Sequence, residues 1–113
     1  MSQTSNLFEG EALELAPGVR ARPLFGDGAM LNLIDFEPNA RVPVHSHPHE
    51  QLGIVIEGRL VMHIAGVDHD LGPGGAYQIP GGVEHGAWTG ENACRVLDVF
   101  QPVREDYRQR VEG

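Results

Sequence analysis

The chain has 113 residues, with 16 acidic against 8 basic side chains, a net charge of −8 and one cysteine, Cys94. That length suits one domain, residues 1–113, and not two. The acidic balance argues against nucleic acid or an anionic membrane surface as main partner, a lone cysteine excludes an internal disulfide, and no apolar run approaches the roughly 18 residues of a membrane span.

A domain of this size buries only about two-thirds of its unfolded surface, so a homodimer would add useful burial. No basic-then-apolar segment opens the chain, and a cytoplasmic, reducing location is expected. Residues 1–10 are polar and expected to be loose. The chain's 15 glycines and 8 prolines punctuate short runs that alternate with period two. Strands are predicted near 18–25, 29–37, 42–47, 50–57, 59–65, 75–79, 84–89 and 93–101, with turns at "IEGRL" (56–60) and at "PGG" (73–75 and 80–82). Many short strands with regular turn signals point to an all-β barrel or sandwich, with a barrel core over about 18–101. The tail "PVREDYRQRVEG" is expected to make one or two helical turns starting at Pro102.

The strand 51–57 splits into two faces. Gln51, Gly53, Val55 and Glu57 share one, which is expected to line a cavity. Leu52, Ile54 and Ile56 share the other, which a partner subunit would cover. Just before this strand stands "HSHPHEQ", with His45 and His47 placed to share a strand face. Two imidazoles on one face are a common way to hold a transition metal. Gln51 reaches the same ion if the chain turns at Pro48, and His85, delivered by the turn "PGGVE", is the candidate fourth ligand. The competing reading is a set of surface histidines. His49 sits at the mouth of the turn, His63 alternates with Met62 and Ile64 as a packed strand residue, and His69 falls in a predicted turn on the surface.

These stretches resemble the two motifs of the cupin family. The first, G-x5-H-x-H-x3/4-E-x6-G, is matched by Asn39, His45, His47, Gln51 and Gly58. The second, G-x5-P-x-G-x2-H-x3-N, is matched by Gly74, Pro80, Gly82, His85 and Thr89. The resemblance implies a jelly-roll β-barrel, usually dimeric. It also implies a divalent metal (Zn, Ni, Co, Mn or Fe) on His45, His47, residue 51 and His85. Two departures stand out. Asn39 replaces a glycine, which a turn tolerates because Asn accepts positive φ. Gln51 replaces a glutamate and brings no charge, so the ion keeps its full +2 and is better suited to Lewis-acid work than to stabilising Fe(III). Glu50 is the alternative ligand, one residue out of register.

A second cluster lies in "RVLDVFQPVRED" (95–106). Val96, Asp98 and Phe100 share a face in an otherwise apolar strand. Asp98 is either on an edge facing water or inside, near the metal, where it could act as general acid or base. Phe100 would offer a flat apolar wall. Arg104 is suited to gripping a carboxylate in bidentate fashion, or else is a solvated tail arginine like Arg108 and Arg110. With "HSHPHEQ", this ending resembles the pectin-degradation cupins that linearise 4,5-unsaturated uronates. The resemblance implies metal ligands at His45, His47, Gln51 and His85, and Asp98, Phe100 and Arg104 working on a small anionic sugar. Alternatives on the same metal site are an Fe(II)-dependent dioxygenase of a small enol or aromatic, and a non-enzymatic cupin that binds a small ligand.

Overall fold

The computed structural model of the chain describes residues 2–112; Met1 and Gly113 lie outside the described residues. The strands are β1 (Leu13–Ala16), β2 (Val19–Phe25), β3 (Met30–Phe36), β4 (Arg41–His45), β5 (Glu50–Gly58), β6 (Leu60–Ile64), β7 (Val67–Leu71), β8 (Ala76–Ile79), β9 (His85–Trp88) and β10 (Cys94–Gln101), followed by helix α1 (Glu105–Glu112). They form two antiparallel sheets. One has six strands in the order β1-β2-β3-β10-β5-β8, the other four in the order β4-β9-β6-β7. The chain is an all-β barrel with one short C-terminal helix, as the spacing of its turns and the composition of its tail led one to expect.

Alternation decides which side chains fill the barrel. Val19 and Ala21 of β2, Val55 of β5, Leu60 of β6, Ile79 of β8 and Val96 of β10 are nearly inaccessible and form the core. On β5 the two faces divide as anticipated as far as Val55; a bulge opposite Arg95 and Val96 then breaks the alternation, and Glu57, expected inside, is exposed. Gln51 and Val55 point inward, while Leu52, Ile54 and Ile56 point out and remain 44%, 41% and 40% exposed. Asn39 adopts φ 56°, the left-handed turn conformation that its motif position requires.

Four details differ from the sequence expectation. β1 was not anticipated, since four residues carry too little alternation to register; pairing with β2 through Leu13↔Ala21 and Glu14↔Arg20 creates it. β7 takes up the stretch read as a turn around His69. Its polar residues suit an edge strand, and Ala65 and Gly66, both at positive φ, make the tight hairpin turn that returns it to β6. β4 ends at His45, so His47 stands in the connection to β5 and not on the strand. Helix α1 starts at Glu105 and not at Pro102. Val103 and Arg104 are buried first, and the Arg104 carbonyl then accepts from the amides of Tyr107 and Arg108, both at 3.1 Å. Glu105 and Asp106 in the first turn suit the helix dipole.

The segment before β1 carries no strand or helix and is mostly exposed. It is tied down at Gln3, whose side-chain amide donates to the Phe25 carbonyl at 2.9 Å, and at Phe8, whose ring lies under Arg95. Arg108 and Arg110 are not free tail arginines. Their guanidinium groups donate to the carbonyls of Gly26 (3.0 Å) and Glu14 (2.7 Å), which ties α1 to the connection after β2 and to β1.

Candidate active site

His45, at the end of β4, faces His85, at the start of β9, in direct register. The loop after β4 turns back through Pro48 and His49 and brings His47 to the same point. Ring centroids lie 4.4 Å apart for His45–His85, 4.8 Å for His47–His85 and 5.5 Å for His45–His47. The three residues offer ring nitrogens within 4.8 Å of one another, a spacing that could hold a metal ion.

The backbone fixes the tautomers. A carbonyl can only accept, so each Nδ1 that meets one is a donor. His45 Nδ1 donates to Pro43 O (2.8 Å), His47 Nδ1 to His49 O (3.1 Å) and His85 Nδ1 to Val83 O (2.9 Å). In the neutral rings every Nε2 then carries a bare lone pair. His85 Nε2 is buried with no protein partner. His47 Nε2 faces Gln51 Oε1 at 3.3 Å, and the amide cannot flip because its Nε2 donates to Asp98 Oδ2 at 3.1 Å. Two lone pairs pointing at each other repel unless a cation lies between them, so this donor set fits a divalent metal. Burial, then the charges of Arg104, His85 and His45, brings His47 down to about 4, and burial likewise lowers His85, so both rings are neutral at neutral pH. Glu50 points outward and accepts from the Gln78 side chain at 3.1 Å; it does not face the cluster.

Asp98 lies on β10, which runs between β3 and β5 in the middle of its sheet. The edge alternative is therefore overturned: the residue is 2% exposed and faces the barrel interior. Oδ1 accepts a hydrogen bond from the Tyr77 hydroxyl, and Oδ2 accepts the one from Gln51. Burial pushes the carboxyl up to about 7, against the pull of those two hydrogen bonds and of the Arg104 charge. Phe100, two residues on, packs edge-on against His47 with centroids 5.6 Å apart.

Arg104, anticipated as either clamp or tail, is 8% exposed. Its Nε and Nη2 donate to the two carboxylate oxygens of Asp106 at 3.2 and 2.8 Å. Its guanidinium lies 5.0 Å from the Phe100 ring centroid and 4.1 Å from that of Tyr107. His45, Gln51, His85, Asp98, Phe100 and Arg104 all line one cavity of about 50 Å3. His47 meets it through Gln51 and Phe100. Tyr77, Asp106 and Tyr107 were missed by sequence reasoning. Their places depend on cross-strand register and on the packing of α1, which no short motif records. Asn32, beside Asp98 on β3, is also buried, with both amide atoms lacking a protein partner.

Of the remaining histidines, His49 borders this cluster and the other two lie apart from it. His49 packs beside His47 at 5.4 Å and lends it a carbonyl. His63 is half-buried on the outer side of β6, against Trp88 and Asp68. His69 is exposed on β7.

A family model described as "Cupin domain" matches residues 32–100. Among solved structures, KdgF from Halomonas sp. superposes with a TM-score of 0.87 at 27% identity, covering 95% of this chain and 99% of that one. An RmlC-like cupin from Shewanella frigidimarina gives a TM-score of 0.87 at 30% identity over 95% and 96% of the two chains. A curated relative, the dimethylsulfoniopropionate lyase DddW of Ruegeria pomeroyi, is 32% identical over 66 residues; that match takes in 58% of this chain and 43% of the lyase, so the chain spans less than half of that relative's length. No helix is long and apolar enough to cross a membrane among the described residues.

Proposed function

The chain belongs to the cupin family, and on that premise we propose that it converts cyclic 4,5-unsaturated uronates to the linear keto sugar, with a divalent metal on His45, His47, Gln51 and His85. The observation that carries this reading is the buried carboxyl of Asp98 beside the histidine cluster, in one cavity with Phe100 and Arg104. The likeness to KdgF supports it, as does the resemblance of "HSHPHEQ" and the 95–106 stretch to pectin-degradation cupins.

The reaction is an isomerisation. The hydroxyl at the anomeric carbon loses a proton, the bond from that carbon to the ring oxygen breaks, and the far alkene carbon gains a proton, so neither oxidant nor reductant is required. A bound metal would supply positive charge to sugar oxygens. Asp98 is the group that carries the proton, since it is the one carboxyl within the cavity wall. Arg104 holds the sugar carboxylate through paired N–H groups, offsetting the protein's own negative field. Phe100 gives the sugar ring a flat apolar wall. Asp98→Asn should retain the metal and drop the rate by about a hundredfold or more; a variant that keeps both metal and full activity contradicts the role of Asp98.

The lyase relative makes dimethylsulfoniopropionate the second substrate to assay. We assign the chain to the cytoplasm, in keeping with its unpaired, buried Cys94. We also propose a homodimer built on the outer face of β5, where Leu52, Ile54 and Ile56 form a stripe of exposed aliphatic side chains in a charged protein.

A further inference from the structure

The inward-facing positions of the six-stranded sheet line up in a transverse row at the level of Asp98. Pro23 of β2 pairs with Asn32 of β3, Asn32 with Asp98 of β10, Asp98 with Gly53 of β5, and Gly53 with Tyr77 of β8. Tyr77 and Asp98 are thus two strands apart, with β5 between them. Their side chains meet because position 53 has no side chain: a methyl group there would overlap both the Tyr77 ring and Asp98 Oδ1. The phenol crosses over Gly53, and its hydroxyl donates to Oδ1. Tyr77 is 7% exposed and sits on a short strand fixed against β5 by the pairs Gln51↔Ile79 and Gly53↔Tyr77.

Resting on the ring-opening reading above, we infer that Tyr77 is a positioning residue for the Asp98 carboxyl, acting across the gap that Gly53 leaves. An aspartate carboxyl turns easily about its terminal torsion, whose energy wells are broad. Gln51 secures Oδ2 and Tyr77 secures Oδ1. Two anchors fix the plane of the carboxyl and hence the direction in which it passes a proton. With one anchor gone, the group is free to rotate about the other. A misplacement of about 1 Å in a catalytic group costs on the order of a hundredfold in rate.

The test uses the full chain loaded with metal. Tyr77→Phe removes one oxygen and keeps the ring. It should lower kcat about ten- to a hundredfold while KM stays within about twofold and the melting temperature holds. Gly53→Ala, whose methyl crowds both the ring and Asp98 Oδ1, should lower kcat at least as far. In an Asp98→Asn background Tyr77→Phe should have no further effect, because a residue that acts through Asp98 has nothing left to position. A readout free of substrate accompanies these assays. The chain has two tyrosines, so ring-carbon labelling gives two phenol signals; the one lost in Tyr77→Phe should shift in Asp98→Asn. An unmoved signal overturns the contact. A Tyr77→Phe variant with unchanged kcat, or one whose loss persists in the Asp98→Asn background, overturns the positioning role. If the wild-type protein turns over no uronate, the ring-opening reading fails and the catalytic role of Tyr77 falls with it, whereas an Asp98-dependent tyrosine signal would show that the contact itself stands.

Discussion

Arg104 stands between the Phe100 and Tyr107 rings with the Asp106 carboxylate on one edge, a setting that suits a planar guanidinium better than an ammonium. Its fork geometry grips Asp106 through two parallel N–H bonds and leaves further N–H groups for a ligand. A lysine offers one point charge and no planar stack. Arg104→Lys should therefore raise KM for the uronate about tenfold, with kcat changed by less than about threefold; steady-state kinetics at saturating metal would show it, and an unchanged KM would remove Arg104 from substrate binding. At this scale the sequence was legible wherever chemistry forces a residue type. Three histidines at strand-like spacing, and an acid inside V-L-D-V-F, are costly to place in a β-protein without a use. Tyr77 gave no such signal. A tyrosine in "AYQI" fits any strand with one apolar face, and its link to Asp98 exists only through the register of three neighbouring strands.

The strands that carry the site are held in register by cross-strand pairs on the outer face. Asp35 of β3 accepts from Arg95 of β10 at 2.7 and 3.1 Å and from Arg22 of β2 at 2.9 Å, which ties together three strands, among them β10, which bears Asp98. Burial alone would push the Asp35 carboxyl up. The hydrogen bonds and charges of Arg95 and Arg22 together outweigh it and leave the group below its ordinary value. A carboxyl lowered in the folded state contributes stability above the unfolded value of about 3.9 and loses it as pH falls through the folded value. Asp35→Asn should cost about 1 kcal/mol at pH 7, and the difference in melting temperature from wild type should shrink as the pH drops below about 4. A pH-independent difference would mean that packing, and not the ion pairs, is at stake. Among the elements, those with long alternation (β2, β3, β5, β10) were readable from the sequence. β1 and β7 are made by their partners and not by their own pattern, and the start of α1 is set by the burial of Val103 and Arg104.

For the molecule as a whole, charge and shape pull in different directions. A net charge of −8 keeps copies apart, yet the outer face of β5 exposes Leu52, Ile54 and Ile56 in one row. A stable dimer needs about 1,200–2,000 Å2 of buried surface, and this sheet face offers the apolar centre of such an interface. Ile54→Glu should convert a dimer to a monomer in light scattering behind size exclusion; a wild-type protein that is already monomeric would contradict the assembly. The barrel, the face of β5 that lines the cavity and the histidine cluster were all legible from turn spacing and alternation. The docking of α1 was not, because it rests on Arg108 and Arg110 reaching carbonyls more than eighty residues away in sequence. The central claim joins the metal cluster to Asp98 in one reaction, and it is tested most directly by following the ring absorbance of a 4,5-unsaturated galacturonate beside the uncatalysed ring opening. The expected result is a faster loss of absorbance with the metal-loaded protein that disappears on adding chelator. Loss of absorbance at the uncatalysed rate, with the metal verified in place, would contradict it.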